Sequence, residues 1–285
     1  MTVAARLLAL LTALCTVGPA APAAPPPNPL QVALVCENSS IQPGKPFLAG
    51  LLLQHPRSYH SYWRFPGIVG VPTRLKWDLP QGWKAGPIQW PTPERVFMFK
   101  IKAQGFHGQT LLPVEITPPA SLQPGSPIRL AATASWMCCG RDCNPGFEKL
   151  ELQIQTSATA PEPNPEHSRA FAMAKASLPE TLSGWKVESR KSGNSVLIEV
   201  RPTDGEARKQ FARMESAQFF TEDGLTDPNR AETVRRTAEG LLLELAISEF
   251  APQPLPKELR GVLVTPSGWL PGHPGRGLLV RVHLD

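Results

Sequence analysis

After residue 24 the sequence has no apolar run near the roughly 18–20 residues that a membrane-spanning helix needs. It also lacks a glycine-rich phosphate loop, an H-E-x-x-H zinc motif and a G-x-S-x-G nucleophile motif. The formal net charge is +5, but the Lys and Arg residues are scattered rather than clustered. These absences disfavour a membrane-spanning chain, a conventional hydrolase and a nucleic acid as partner.

Proline, in contrast, is abundant. The 285 residues include 33 prolines, about twice the usual share of roughly 5%. Proline is poorly tolerated inside helices and central strands, so this content predicts strands joined by many turns. The length suits two domains of roughly 100–150 residues each.

The first residues have the pattern of a signal peptide. Arg6 supplies a positive charge, residues 7–17 are apolar, and residues 18–24 are mostly small. We therefore expect residues 1–24 to be a signal peptide, cleaved between Ala21 and Asn28, and the mature protein to be periplasmic.

A segment rich in Pro, Ala and small polar residues, 157–168, predicts a linker. It separates a first domain, residues 28–156, from a second, residues 169–285. Short alternating segments recur at spacings of roughly 8–15 residues, as expected for strands of a sandwich. The sequence thus predicts an all-β protein of two β-sandwich domains in tandem.

Particular segments have a local pattern. Residues 96–103 and 128–137 alternate between apolar and polar side chains and predict strands, as do residues 147–155. Residues 167–177 predict a short helix that ends before Pro179.

Four cysteines follow the predicted signal peptide, which contains Cys15: they are Cys36, Cys138, Cys139 and Cys143. Disulfides persist in exported proteins, and four cysteines allow three pairings. Cys139 and Cys143 form a C-x3-C segment at a predicted chain reversal, where Gly140 permits a tight turn. A loop this short brings two sulfurs within bonding distance while leaving them exposed.

Three interpretations of the cluster stay open on spacing alone. Cys139 and Cys143 cycle between dithiol and disulfide, as exposed disulfides do readily. Alternatively they form a permanent structural disulfide, or Cys36 forms a disulfide with one cysteine of the cluster. In the third interpretation Cys138, Cys139, Cys143 and His60 bind copper as Cu(I), a soft ion that thiolates favour; otherwise we expect no cofactor.

Residues 59–118 contain a series of motifs in a recognisable order. The matching residues are His60, Tyr62-Trp63, Pro66-Gly67, Gly70, Pro72, Trp77, Leu79-Pro80, Gly82, Gly86, Ile88, Trp90-Pro91, Pro93 and residues 111–116. A W-x-x-C-x3-C-x-P segment follows, formed by Trp136, Cys139, Cys143 and Pro145. In this order and spacing the first domain resembles the N-terminal periplasmic domain of thiol:disulfide interchange proteins of the DsbD and ScsB type.

The resemblance implies an immunoglobulin-like fold for the predicted sandwiches and a function in electron transfer. It implies that Cys139 and Cys143 are the redox pair and that residues 62–72 form a loop that shields them. The family members receive electrons from a membrane-embedded partner domain and pass them to periplasmic thiol-disulfide proteins. We therefore expect this chain, which ends without the family's membrane and thioredoxin-like domains, to act as a protein-disulfide reductase component that receives electrons from a separate membrane protein. The other expectation is a non-enzymatic copper-binding or structural module.

Two features depart from the family pattern. The loop reads FPGIVG, with Phe65 and Ile68 where polar residues are usual. Cys138 stands where an aliphatic residue is usual, which places two cysteines side by side. Whether Cys138 competes for a partner decides whether the Cys139–Cys143 pair is free to react.

Overall fold

The computed structural model describes residues 28–272 and 275–285. The predicted signal peptide, residues 1–24, lies outside the described residues. Across both described ranges, no helix has the length and apolar character to cross a membrane.

The first half of the chain folds into two facing sheets of mainly antiparallel strands. Its strands are β1 (Gln31–Cys36), β2 (Ser40–Ile41), β3 (Phe47–Gln54), β4 (His60–Tyr62), β5 (Arg74–Asp78), β6 (Lys84–Ile88), β7 (Glu94–Met98), β8 (Ile101–His107), β9 (Gln109–Thr117), β10 (Pro127–Cys139) and β11 (Cys143–Thr156). One sheet has the order β1-β3-β9-β6, and the other has the order β2-β11-β10-β4-β8-β7 with β5 also paired to β10.

Strand β10 shows how the sequence pattern builds the core. Leu130, Ala132, Ala134 and Trp136 are buried, while the residues between them are half-buried. Side chains along a strand point alternately to its two faces, so this period of two buries one face between the sheets.

The second half forms a smaller sandwich with two helices. Its elements are α1 (Ser168–Ala176), β12 (Trp185–Ser192), β13 (Ser195–Pro202), α2 (Gly205–Phe211), β14 (Gln218–Thr221), β15 (Thr233–Arg236), β16 (Leu241–Ala246), β17 (Glu258–Val264) and β18 (Gly277–His283). The sheet orders are β12-β13-β16-β15 and β14-β17-β18. Trp185 and Trp269 meet edge to face in its core, with ring centroids 5.0 Å apart.

The two halves pack against each other. Phe220 and Val262 of the second half belong to the buried core of the first. Phe171 of α1 is fully buried against Val35 and Leu111, so this helix covers the outer side of the β1-β3-β9 sheet. The predicted all-β class is confirmed, whereas the boundaries of 28–156 and 169–285 stay a prediction.

One predicted strand is wrong. Residues 96–103 form parts of two strands, β7 and β8, which reverse around Phe99. Phe99 has φ +55°, in the left-handed region that bulky residues rarely adopt. Because phenylalanine is not a residue typical of such turns, the sequence contained no indication of a chain reversal at this position. Helix α2 and strands β14 and β15 were not predicted.

Candidate functional site

Cys139 and Cys143 form a disulfide at the tip of the β10–β11 hairpin. They are register partners at the ends of the two strands, and their Cα atoms lie 4.1 Å apart. The connection is closed by a hydrogen bond of 2.8 Å from the backbone N–H of Gly140 to the carbonyl oxygen of Asp142. The hairpin register alone therefore brings the two predicted redox cysteines together.

Tyr59 supports this tip from outside the hairpin. Its hydroxyl donates a hydrogen bond of 2.7 Å to Oδ1 of Asp142. Its ring lies so close to Gly140 that a Cβ there would meet ring carbons at 2.9 Å. The hydrogen bonds from Tyr59 and Asn144 lower the pKa of Asp142, so the loop keeps a negative charge beside the disulfide. Sequence reasoning did not identify Tyr59, because its contact with the hairpin spans 83 positions of the chain.

The two sulfur-bearing residues differ in burial. Cys139 is 1% exposed and packs with Tyr62, Val96 and Ala103. Cys143 is half-buried at the edge of this cluster. A molecule from solvent therefore reaches Cys143 before it reaches Cys139.

Residues 64–72, which we call the cap, lie over the cluster that contains Cys139. Val69 packs against this cluster from the cap. Gly70 lies directly on the Tyr62 ring, where a Cβ would come within 2.3 Å of a ring carbon, and it has φ +90°. Burial raises the pKa of Tyr62 to about 12, so its hydroxyl stays protonated beneath the cap. The family resemblance implied a shielding loop of residues 62–72; Tyr62 instead ends β4 beneath the cap, and shielding of the redox pair stays a prediction.

His60 lies beside the disulfide, as the backbone register partner of Cys139 in β4. It is 2% exposed, and its Nε2 is 3.3 Å from the Tyr62 hydroxyl in a hydrogen bond. Burial, followed by the positive charge of neighbouring His107, lowers the pKa of His60 to about 4. His60 is therefore neutral at physiological pH and is held within a packed environment.

Cys138 is next to the disulfide in sequence but is separated from it in space. Its side chain is fully buried in the core between the two sheets, as is that of Cys36. Both are free thiols. Burial, followed by the charge of Asp142, raises the pKa of Cys138 to about 12, and burial raises that of Cys36 to about 11. Because buried thiols with raised pKa values are unreactive, neither Cys36 nor Cys138 competes with the disulfide between Cys139 and Cys143.

The suggested copper ligands are only partly brought together. Cys139, Cys143 and His60 are neighbours, but Cys138 points to the opposite side of β10. No group of three or more His, Cys, Asp or Glu side chains among residues 28–272 and 275–285 is arranged to hold a metal ion. Copper binding stays a prediction.

Comparisons with known proteins agree with this geometry. Residues 29–155 match the family model of the N-terminal domain of thiol:disulfide interchange protein DsbD. The N-terminal periplasmic domain of ScsB from Proteus mirabilis has a TM-score of 0.63 at 16% sequence identity, covering 89% of this chain and 92% of that one. Identity this low shows a shared fold, which here extends over both halves.

Other comparisons are less informative. The periplasmic chaperone SfaE aligns with 89% of this chain and 98% of its own, but its TM-score of 0.24 and 8% identity support no argument. Comparison of the sequence with curated proteins gives no significant match. The family resemblance that the motifs indicated is thus confirmed for residues 29–155.

Proposed function

We propose, from the premise that residues 29–155 form a domain of the DsbD N-terminal family, that this protein is a periplasmic thiol:disulfide exchange module. The observation that carries the proposal is the Cys139–Cys143 disulfide, which lies at a hairpin tip with Cys139 buried and Cys143 half-buried. A disulfide with one partly accessible sulfur exchanges more readily than a disulfide that lies wholly within a core.

The exchange would proceed in two balanced steps. A thiolate of a reduced partner attacks the Cys143 sulfur, forms a mixed disulfide with it and releases Cys139 as a thiolate. A second thiolate of the partner then attacks the partner's own sulfur in the mixed disulfide and releases Cys143. Two electrons pass to this protein, whose cysteines take up protons, and the partner is left with a disulfide.

The reverse sequence passes the electrons onward. The Cys143 thiolate attacks the disulfide of an oxidised periplasmic protein, and Cys139 resolves the mixed disulfide. By analogy with the family, we propose a membrane-embedded reductase as the electron donor and periplasmic thiol-disulfide proteins as acceptors. Cys143 is assigned the attacking role because it is more exposed than Cys139.

A redox titration tests this function. The oxidised protein is equilibrated in glutathione buffers, and the fraction of reduced Cys139 and Cys143 is measured by thiol labelling and mass spectrometry. We expect a reduction potential between about −300 and −120 mV, the range of exchange proteins. A reduction potential below about −300 mV would identify a structural disulfide and contradict the proposal.

Trapping of an intermediate tests the assignment of Cys143. The Cys139→Ser variant keeps Cys143 and should accumulate a mixed disulfide with a reactive disulfide such as oxidised glutathione. The matched Cys143→Ser variant keeps the buried Cys139 and should react much more slowly. Equal trapping by both variants would contradict the assigned order.

A further inference from the structure

The base of the cap lies against a loop of the second half, residues 221–229, which we call the brace. The Phe65 ring packs on Gly224, where a Cβ would come within 2.7 Å of a ring carbon. Gly67 packs on Pro228 with a corresponding distance of 2.7 Å. These two contacts place the cap base directly against the brace.

Polar contacts join the same two segments. Arg64 at the start of the cap forms an ion pair with Glu222 of the brace. The fully buried side-chain amide of Gln104 donates to the carbonyl oxygens of Phe65, at 2.6 Å, and Thr221, at 2.9 Å. One amide nitrogen in the body of the first half therefore holds the cap base and the brace together.

The brace itself is held in a fixed shape. Asp223 accepts hydrogen bonds from the Thr221 hydroxyl and the Leu225 backbone N–H, both at 3.0 Å. Its far end is attached to the first half, because the Asn229 side chain accepts a hydrogen bond of 3.1 Å from the backbone N–H of Lys102. A loop with these internal and external hydrogen bonds is a rigid support.

The outer part of the cap is held differently. Within the described chain, residues 67–72 make no hydrogen bond, and they are held in place by apolar packing of Val69 and by the contact of Gly70 with Tyr62. Such packing is non-directional, so the position of the outer part depends on where its base is fixed. The base, in turn, is fixed from the second half.

We propose that the brace keeps the cap closed over the cluster against which Cys139 and Cys143 pack, so that the second half sets how fast thiols reach the disulfide. Glu222 and Pro228 are positioning residues that act through Arg64 and Gly67. The inference rests on the proposed function in one respect: closure matters because exchange takes place at this disulfide. Weaker bracing would raise the fraction of molecules with an open cap, and the rate of thiol attack would rise in proportion.

Reduction kinetics of the full chain test the brace. The oxidised protein is mixed with excess dithiothreitol, samples are quenched with a maleimide, and the reduced fraction is followed by mass spectrometry. We expect Glu222→Gln and Pro228→Ala each to speed reduction roughly fivefold, the effect of losing one interaction of ordinary strength. Hydrogen exchange of the peptide that contains residues 64–72 should accelerate in the same variants.

A core variant provides the matched control. Ile198 is fully buried in the core of the second half and takes no part in the contacts between the cap and the brace, and Ile198→Val costs stability by a similar amount. It should leave both the reduction rate and the exchange of the cap peptide at wild-type values. Equal acceleration in Ile198→Val, or no acceleration in both brace variants, would overturn the proposal.

The two proposals fail in distinguishable ways. A reduction potential below about −300 mV removes the exchange function while leaving the relative reduction rates of the variants measurable. A potential in the exchange range together with unchanged rates in Glu222→Gln and Pro228→Ala removes the brace and leaves the exchange function standing.

Discussion

Cys138 and Cys139 are neighbours in the chain, but their side chains leave opposite faces of strand β10. Cys138 is fully buried in the core between the two sheets, whereas Cys139 joins the cluster beneath the cap and bonds to Cys143. Because successive side chains of a strand alternate between its faces, Cys138 cannot turn toward Cys143 without a shift in strand register. The unusual vicinal pair therefore consists of one core residue and one reactive residue.

Cys138 is accordingly predicted to be dispensable for disulfide chemistry. Cys138→Val should keep the Cys139–Cys143 bond and change the reduction potential by no more than about 30 mV, which corresponds to about 1.4 kcal/mol. In the native wild-type protein, iodoacetamide should leave Cys138 and Cys36 unmodified, because both thiols are buried and have raised pKa values. Mass spectrometry before and after denaturation checks this, and a disulfide that involves Cys138 would contradict it.

Gly70→Ala is predicted to displace the cap. The added Cβ would overlap the Tyr62 ring, and φ +90° is unfavourable for alanine. We expect a loss of roughly 1–3 kcal/mol of stability and faster reduction of the disulfide by dithiothreitol. The control is Gly193→Ala, also at positive φ but with open space around the new Cβ, which should cost stability without changing the reduction rate.

His60 is predicted to make stability dependent on pH. Its pKa is lowered to about 4 in the folded protein, so between about pH 6.5 and pH 4 the unfolded chain binds the proton and the folded protein does not. Stability should therefore fall as the pH falls through this window, with a contribution from His60 of up to about 3 kcal/mol. Urea unfolding of the oxidised protein at several pH values measures the effect.

A comparison of two variants assigns this dependence. His60→Gln should flatten the curve of unfolding free energy against pH between about pH 6.5 and pH 4. Ile198→Val, which removes no titratable group, should lower the curve without flattening it. An identical curve for His60→Gln and the wild type would show that His60 is not the group responsible.

Cys138 is predicted not to be a copper ligand. Cys139, Cys143 and His60 are neighbours, but Cys138 lies on the other face of β10. Titration of the reduced protein with Cu(I) against a chromophoric competitor should therefore give the same affinity for the wild type and for Cys138→Val. Tight one-to-one binding that is lost in Cys138→Val would instead support the interpretation of a copper site.

Local patterns in the sequence predicted the hairpin and its redox pair well. Alternation in β10 and β11, with Gly140 between them, is a short-range signal, because a hairpin register depends on residues close in the chain. The split of residues 96–103 was not predictable in this way, since Phe99 adopts a conformation that its residue type disfavours. Helix α2 was also not predicted, because it is only seven residues long and too short for a clear helical periodicity. Asp204 caps it by accepting a hydrogen bond from the Ala207 backbone N–H.

The sequence by itself determined the all-β class, the position of the cysteine pair and the resemblance of residues 29–155 to the N-terminal domain of DsbD, because each depends on periodicity or on motifs within one segment. Only the tertiary structure decided that Cys138 belongs to the core, that Tyr59 supports the hairpin tip and that Glu222 meets Arg64. The last of these contacts joins residues 158 positions apart. Such contacts arise when separately formed sheets pack together, and no local pattern of residues encodes which side chains then meet.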